Sequence, residues 1–385
     1  MRFIHTADWQ LGKPFANVSD QDKRALVKDV RFETVKSLTS VVERHGISLV
    51  VVAGDLFDSP SASRTTVSKA CEAIGSLKVP VLVIPGNHDH GGPGSIWEQE
   101  FFKAEQSSLA PNLRVLLEPE PVELEEAVIL PCPLLHRRVV EDPTQWLRSF
   151  DFSSLPADKP RIVVAHGSVS GFGGEWETEE AGYTNTIDLD ALPMEEIDYL
   201  ALGDWHGTKQ VNPKAWYSGT PEPDRFPKGD GYDPGNVLVV EARRGEPPAV
   251  VKERTARLRW NRLHFSFAGP QDLERLEMTL SGLLEQRVEQ DLLHVVLEGP
   301  LGIEDAHKLQ KVEEKLRARL LHLQWENNTT TLPTEEEVEL LTERKESPLI
   351  SSVASSLIQM AEEGGEEAEV ARWALKELYT ACKEG

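Results

Sequence analysis

Five short apolar runs, each closed by a polar cluster able to ligate a metal, constrain this chain more than any other feature. The runs at 2–7, 49–53, 81–84, 162–165 and 199–202 lead into Asp8-Trp9-Gln10, Gly54-Asp55-Leu56-Phe57-Asp58, Gly86-Asn87-His88-Asp89, Ala165-His166-Gly167 and Gly203-Asp204-Trp205-His206. Apolar runs bounded by turn residues read as buried strands, a sixth lies at 127–130, and helical spacing occupies 26–42 and 67–77 between them. The expectation is a layered α/β domain with its polar clusters on loops after strands, where open α/β sheets place their sites.

A single Asp or His after a strand is most often a turn former or a cap. Asn87, His88 and Asp89 together are costly neighbours unless something polar or metallic gathers them, and five such strand ends in one chain point to a metal site. Carboxylate and amide oxygens suit hard divalent ions, imidazole suits softer ones, and a two-metal site needs one carboxylate that bridges. Asp55 is the natural bridge.

Proline and glycine crowd 212–236, so the first domain is expected to end there, as residues 1–236. Alternating strand-like and helical stretches over 237–326 read as a compact α+β module. Residues 327–334 read as a linker, and 335–385 as two or three amphipathic helices. The net charge is −23, and residues 331–385 hold thirteen acidic against five basic side chains. That tail says little about an active face elsewhere, and divalent ions would reverse the local sign there. Cys71, Cys132 and Cys382 lie too far apart for a zinc knuckle and are expected to be buried thiols. MRFIHTADWQ lacks the pattern of a signal peptide and no apolar run reaches the roughly 18 residues of a membrane span, so the expected location is the cytoplasm, with no membrane partner.

The five clusters, in this order, resemble the ligand segments of calcineurin-like metallophosphoesterases, and HTADWQLG, AGDLFD, the tract from LALGDWHG to YSGTPEPDRF and the trailing α+β module are similar to the SbcD type of DNA repair exonuclease. The resemblance implies a metallophosphoesterase β-sandwich flanked by helices, a smaller α+β capping domain and a helical C-terminal tail that docks on an SbcC-like ABC ATPase with a long coiled coil. It implies two divalent metal ions, one held by Asp8, Asp55 and His206 and the other by Asp55, Asn87 and His166, with His88 as transition-state stabiliser or proton donor. DNA is the substrate it implies, endonuclease or exonuclease preference stays open, and a homodimer is suggested. A phosphodiesterase or phosphatase for a small-molecule phosphate ester and a catalytically decayed structural subunit of an ATPase complex are the competing readings.

Two positions depart from the family pattern. Gln10 stands where a histidine is usual, and Asp204 where another histidine is usual. Both enter the expected ligand set, and both replace nitrogen by oxygen, which favours manganese, with magnesium as the alternative, over zinc. A second reading has Gln10 not coordinating, which leaves the first ion loosely held.

Asp58 and Asp89 are expected to orient ligands or to cap turns, and His5 to be packed or to support a ligand. Trp205 is expected to point into the core. Arg137 is a candidate phosphate contact. Lys252 and Arg254 lie at period two in a basic stretch beside Trp260, which reads either as a phosphate track with a stacking platform or as a solvated edge strand. Gly171, Phe172, Gly173, Gly174 and Trp176 form a glycine-rich, aromatic loop expected to contact substrate. The apolar faces of the C-terminal helices fit packing on the chain's own second module or docking on a partner.

Overall fold

In the computed structural model the structure describes residues 1–385 except 170–184, 228, 230, 270, 286, 287, 345, 364 and 385. The chain divides into two compact units, Met1–Arg259 and Trp260–Gly385.

Two six-stranded sheets build the first unit. One runs Ala249–Arg254, Asn236–Glu241, Arg2–Thr6, Leu49–Ala53, Val81–Ile84, Leu113–Val115 in spatial order, and the other Lys209–Gln210, Ala215–Tyr217, Tyr199–Gly203, Arg161–His166, Val128–Cys132, Val122–Glu123. The central strands of both are parallel; antiparallel pairing closes both edges of the second sheet and one edge of the first, whose other edge strand, Leu113–Val115, is parallel. Alternation along each strand divides the apolar residues. Phe3, Leu49, Val51 and Leu82 from one sheet meet Ile129, Ile162, Val164 and Tyr199 from the other in a shared core. Ile4, Val50, Val52 and Val83 turn the opposite way, onto Phe32, Val35 and Leu38 of the helix Gln21–His45 and Ala70 and Ile74 of the helix Arg64–Gly75. Burial on both faces explains why these strands read as continuous apolar runs.

The helix Gln21–His45 starts where the Asp20 carboxylate accepts the amides of Asp22 and Lys23, and stops at Gly46, whose φ of 58° suits glycine. Its fully buried Arg31 donates to the carbonyls of Asp8, Trp9 and Glu222, tying the first polar loop to the 220–222 tract.

In the second unit a three-stranded sheet, Arg259–Ser266, Asp291–Leu301 and His322–Thr331, packs against the helices Asp272–Leu284 and Ile303–Arg319 through Leu276, Leu280, Leu293, Val295, Leu309 and Leu316. Three further helices follow, Glu335–Thr342, Pro348–Glu363 and Glu366–Glu384, and share a core of Leu341, Ala354, Leu375 and Tyr379 with Ile303. The Glu337 carboxylate accepts the amides of Ile303 and Glu304, so a side chain of the tail caps a helix of the α+β module.

Two expected boundaries move. Strand Asn236–Glu241 pairs antiparallel with Arg2–Thr6, so the first unit runs past 236 to Arg259. Residues 327–331 continue the strand His322–Thr331 in parallel register with Leu297–Leu301 and are not linker. Polar residues obscured that strand because its outer face is solvated. The three cysteines are buried free thiols, as expected. Among the described residues no helix is long and apolar enough to cross a membrane.

Candidate metal centre

Strand ends from both sheets converge on Asp55. It follows Leu49–Ala53 at φ 56°, and Asp8, Gln10 and Asp204 also sit at positive φ, 54°, 40° and 101°. Backbone held in that sparsely populated region costs about 1–3 kcal/mol per residue and clusters at functional sites. Close approach at the centre requires glycine: a Cβ on Gly86 would lie 2.1 Å from Asp55 Oδ1, and one on Gly54 would lie 2.2 Å from His166 Nδ1.

Asp8, Asp55 and His166, all buried, offer ligand atoms within 4.8 Å of one another. His166 Nδ1 is 2.8 Å from the Ala53 carbonyl, which accepts its proton and turns the Nε2 lone pair inward. Nε2 then lies 3.6 Å from Asp55 Oδ1 and 3.7 Å from Asp204 Oδ1, with no hydrogen-bond partner, and the buried Asn87 Oδ1 also lacks one. Buried polar atoms without partners cost about 1–3 kcal/mol each, and His166 Nε2 is one that lies beside two carboxylates. A divalent cation fits that donor set. The charge balance agrees: burial alone would lower the His166 pKa, yet Asp55, Asp8 and Asp204 lift it to about 9, and burial with Asp55 and Asp204 pushes Asp8 well above the carboxylate range. Without an ion, protons must neutralise this cluster.

The second half of the centre differs. His206 Nδ1 donates to Asp224 Oδ1 at 3.1 Å, and its Nε2 faces Gln10 Nε2 at 3.3 Å. The same Gln10 nitrogen lies 3.4 Å from Asp55 Oδ2, while Gln10 Oε1 accepts from Lys13 Nζ at 2.7 Å. Burial alone would raise the Asp224 pKa, but His206, Arg225 and Lys13 beside it hold it well below the usual range. Gln10 therefore sits in the centre with its amide nitrogen, rather than its oxygen, turned toward the neighbouring ligands.

His88 is poised beside these groups. Its backbone N–H donates to Asp55 Oδ1 at 2.9 Å and its Nδ1 to the Asp58 carbonyl at 2.9 Å, which leaves Nε2 as the ring atom for a substrate. Asp58 thus orients His88 through its backbone, while its carboxylate stands 3.9 Å from Lys13. The Asp89 carboxylate accepts the amides of Phe57 and Gly86 at 3.0 and 2.8 Å, stapling two ligand loops together, and burial with Asp55 nearby raises its pKa to about 7.

Elsewhere the expected residues divide. His5 is fully buried between Tyr199 Oη and the Leu202 carbonyl, and burial lowers its pKa to about 3, which makes it a packing residue. Trp205 packs half-buried on the second sheet's outer core. Arg137 is exposed on the loop whose Leu134 carbonyl accepts the Gly91 amide beside His88. Lys252 and Arg254 are exposed on the edge strand Ala249–Arg254 and pair with Asp233 at 2.5 and 3.8 Å. Trp260, with 7% of its surface exposed, offers no free face for a base to stack on, because its ring fills a core position. The glycine-rich loop with Phe172 and Trp176 lies outside the described residues. Lys13, Arg31, Asp224 and Arg225 were not singled out from the sequence. Single charged residues in LGKPF, a helix and PEPDRF carry no spacing signal, although two of these tracts carry the family resemblance.

The calcineurin-like phosphoesterase family model matches residues 1–208. The SbcD subunit of the SbcCD nuclease from Bacillus subtilis (strain 168) is 27% identical over 281 residues, 64% of this chain and 67% of that protein. Its counterpart from Staphylococcus epidermidis (strain ATCC 12228 / FDA PCI 1200) is 24% identical over 231 residues, 55% of this chain and 58% of its own length. A solved structure from Thermus thermophilus covers 66% of this chain and 98% of its own at 9% identity and a TM-score of 0.39.

Proposed function

Since the chain belongs to the calcineurin-like phosphoesterase family, we propose that it is a metal-dependent nuclease that hydrolyses DNA phosphodiesters by a two-metal route, as the nuclease subunit of a complex with an SbcC-like ABC ATPase in DNA repair or processing. The observation that carries the metal dependence is the buried, unpartnered His166 Nε2 beside Asp55 and Asp204, in a cluster with Asp8. The relatives named as subunits of the SbcCD nuclease support DNA as substrate and the ATPase as partner.

Asp55, Asn87, His166 and Asp204 would hold one ion, and Asp8, Asp55 and His206 the other, with Gln10 joining them only once its amide oxygen turns inward. Oxygen atoms dominate this set, which favours manganese or magnesium. Divalent ions supply Lewis acidity to the phosphodiester and to the attacking water. The chain's own part is to place the substrate and move a proton. Asp55, whose carboxylate accepts the His88 amide, would serve both ions. The Asp58 carbonyl fixes the Nδ1 proton of His88, so Nε2 faces the departing oxygen. Arg137 on the neighbouring exposed loop would meet a flanking phosphate.

End-labelled linear DNA and bis-p-nitrophenyl phosphate, each with manganese, magnesium or EDTA, test the substrate class. Metal-dependent cleavage of DNA supports the nuclease. Hydrolysis of the small ester with no DNA cleavage would replace it by a small-molecule phosphodiesterase.

A further inference from the structure

The two halves of the centre are not equally ready for an ion. His166 Nε2, which faces Asp55 and Asp204, lacks a hydrogen-bond partner, and so does the buried Asn87 Oδ1. At His206 and Gln10 a closed ring of hydrogen bonds already satisfies the inward atoms. Lys13 Nζ donates to Gln10 Oε1 at 2.7 Å and to Asp224 Oδ2 at 2.6 Å, His206 Nδ1 donates to Asp224 Oδ1 at 3.1 Å, the Gln10 NH2 closes the ring on His206 Nε2 at 3.3 Å, and Arg225 Nη2 stands against it, 3.2 Å from Asp224 Oδ2 and 3.4 Å from His206 Nε2.

The direction of the Gln10 amide follows from chemistry. An ammonium has only donors, so the amide atom it touches must be the oxygen. The NH2 is thereby forced toward Asp55 Oδ2 and His206 Nε2, the two atoms that would bind the first ion. A histidine at this position could present a lone pair there; Gln10, held this way, presents hydrogens. Lys13 itself is only partly exposed, at 22% of its side-chain surface, and Asp224 is fully buried, so the ring is shielded from competing water.

We propose that Lys13 gates the first metal position: while its ammonium holds the Gln10 oxygen the centre carries one ion, on Asp55, Asn87, His166 and Asp204, and a second ion enters only when Lys13 releases Gln10 to turn its oxygen inward. This rests on the metal-dependent reading above but concerns ion occupancy, so it stands or falls separately from DNA cleavage.

The test is manganese binding to the metal-stripped full chain, read by titration calorimetry and by electron paramagnetic resonance, for wild type, Lys13→Met, and Lys13→Met with Gln10→Ala. Wild type is expected to bind one equivalent tightly, with the six-line signal of an isolated ion, and a second at least tenfold more weakly. Lys13→Met is expected to tighten the second equivalent at least tenfold and to give a spin-coupled pair. Adding Gln10→Ala should abolish that gain, because the released amide oxygen supplies it. Equal affinity for both equivalents in wild type, or no change in Lys13→Met, overturns the proposal. A gain that survives Gln10→Ala also overturns it, since charge removal alone would then explain the effect. Lys13→Leu likewise removes both the charge and the donor and carries the same expectations where the methionine variant does not fold.

Discussion

The Nδ1 of His166 and the carbonyl oxygen of Ala53 lie 2.8 Å apart across the two sheets of the first unit, and this bond decides which imidazole nitrogen faces the centre. The acceptor belongs to the strand that leads to Asp55, so one backbone atom couples the fold to the position of two ligands. His166→Ala removes a proposed ligand whose Nε2 has no hydrogen-bond partner. Its affinity for manganese, measured by calorimetry, should fall about 100-fold or more, since loss of a mere supporting contact already costs 10–100-fold. An unchanged affinity would remove His166 from the ligand set.

Without an ion the centre should make stability depend on pH. His166, lifted to about 9 by the surrounding carboxylates, contributes stability that is fully present below its ordinary 6.5 and is lost as pH rises through 9. Asp89, raised to about 7, acts in the same direction at lower pH, because its ionisation in the folded state is disfavoured. The melting temperature of EDTA-stripped protein should therefore drop relative to the manganese-loaded protein as pH goes from 6.5 to 9. A gap that stays constant or narrows over that range would contradict the coupling.

Arg31 is the buried strut behind the first ligand loop. Replacing it by Met leaves the carbonyls of Trp9 and Glu222 without their donor. The expected loss is about 2–5 kcal/mol in denaturant unfolding, since each buried carbonyl left without a donor costs about 1–3 kcal/mol. A loss under about 1 kcal/mol would show that water replaces the guanidinium there.

The basic candidates should behave unequally toward DNA. Arg137→Ala is expected to weaken DNA binding and to lower the salt slope by about one. Lys252→Ala and Arg254→Ala, whose cations already pair with Asp233, should change the slope less. Binding titrations at several salt concentrations compare the three variants; a larger effect at Lys252 would place the phosphate track on the edge strand.

Much of the fold was legible because buried parallel strands are apolar on both faces, so 2–7, 49–53, 81–84 and 199–202 stood out as runs. The strand His322–Thr331 was legible only at its apolar start, since its later residues alternate onto water. Strand Asn236–Glu241 was visible, but its partner was not: pairing with Arg2–Thr6 joins residues more than two hundred positions apart, which no local pattern encodes. In the centre, candidate ligand types could be read from the strand ends, and the structure gathers three of them, Asp8, Asp55 and His166. The direction of the Gln10 amide could not be read, because it depends on Lys13 and, through Asp224, on a tract far along the chain.

The most direct test of the central claim is cleavage of linear and circular, single- and double-stranded DNA by the purified chain, with manganese or EDTA, for wild type, Asn87→Ala and His88→Ala. The account predicts manganese-dependent cleavage by wild type that EDTA abolishes and that His88→Ala reduces about 10²–10⁴-fold without loss of bound metal. Asn87→Ala should lose metal and activity together. Cleavage that persists in EDTA, or that neither substitution changes, would contradict the assignment of this centre as the nuclease.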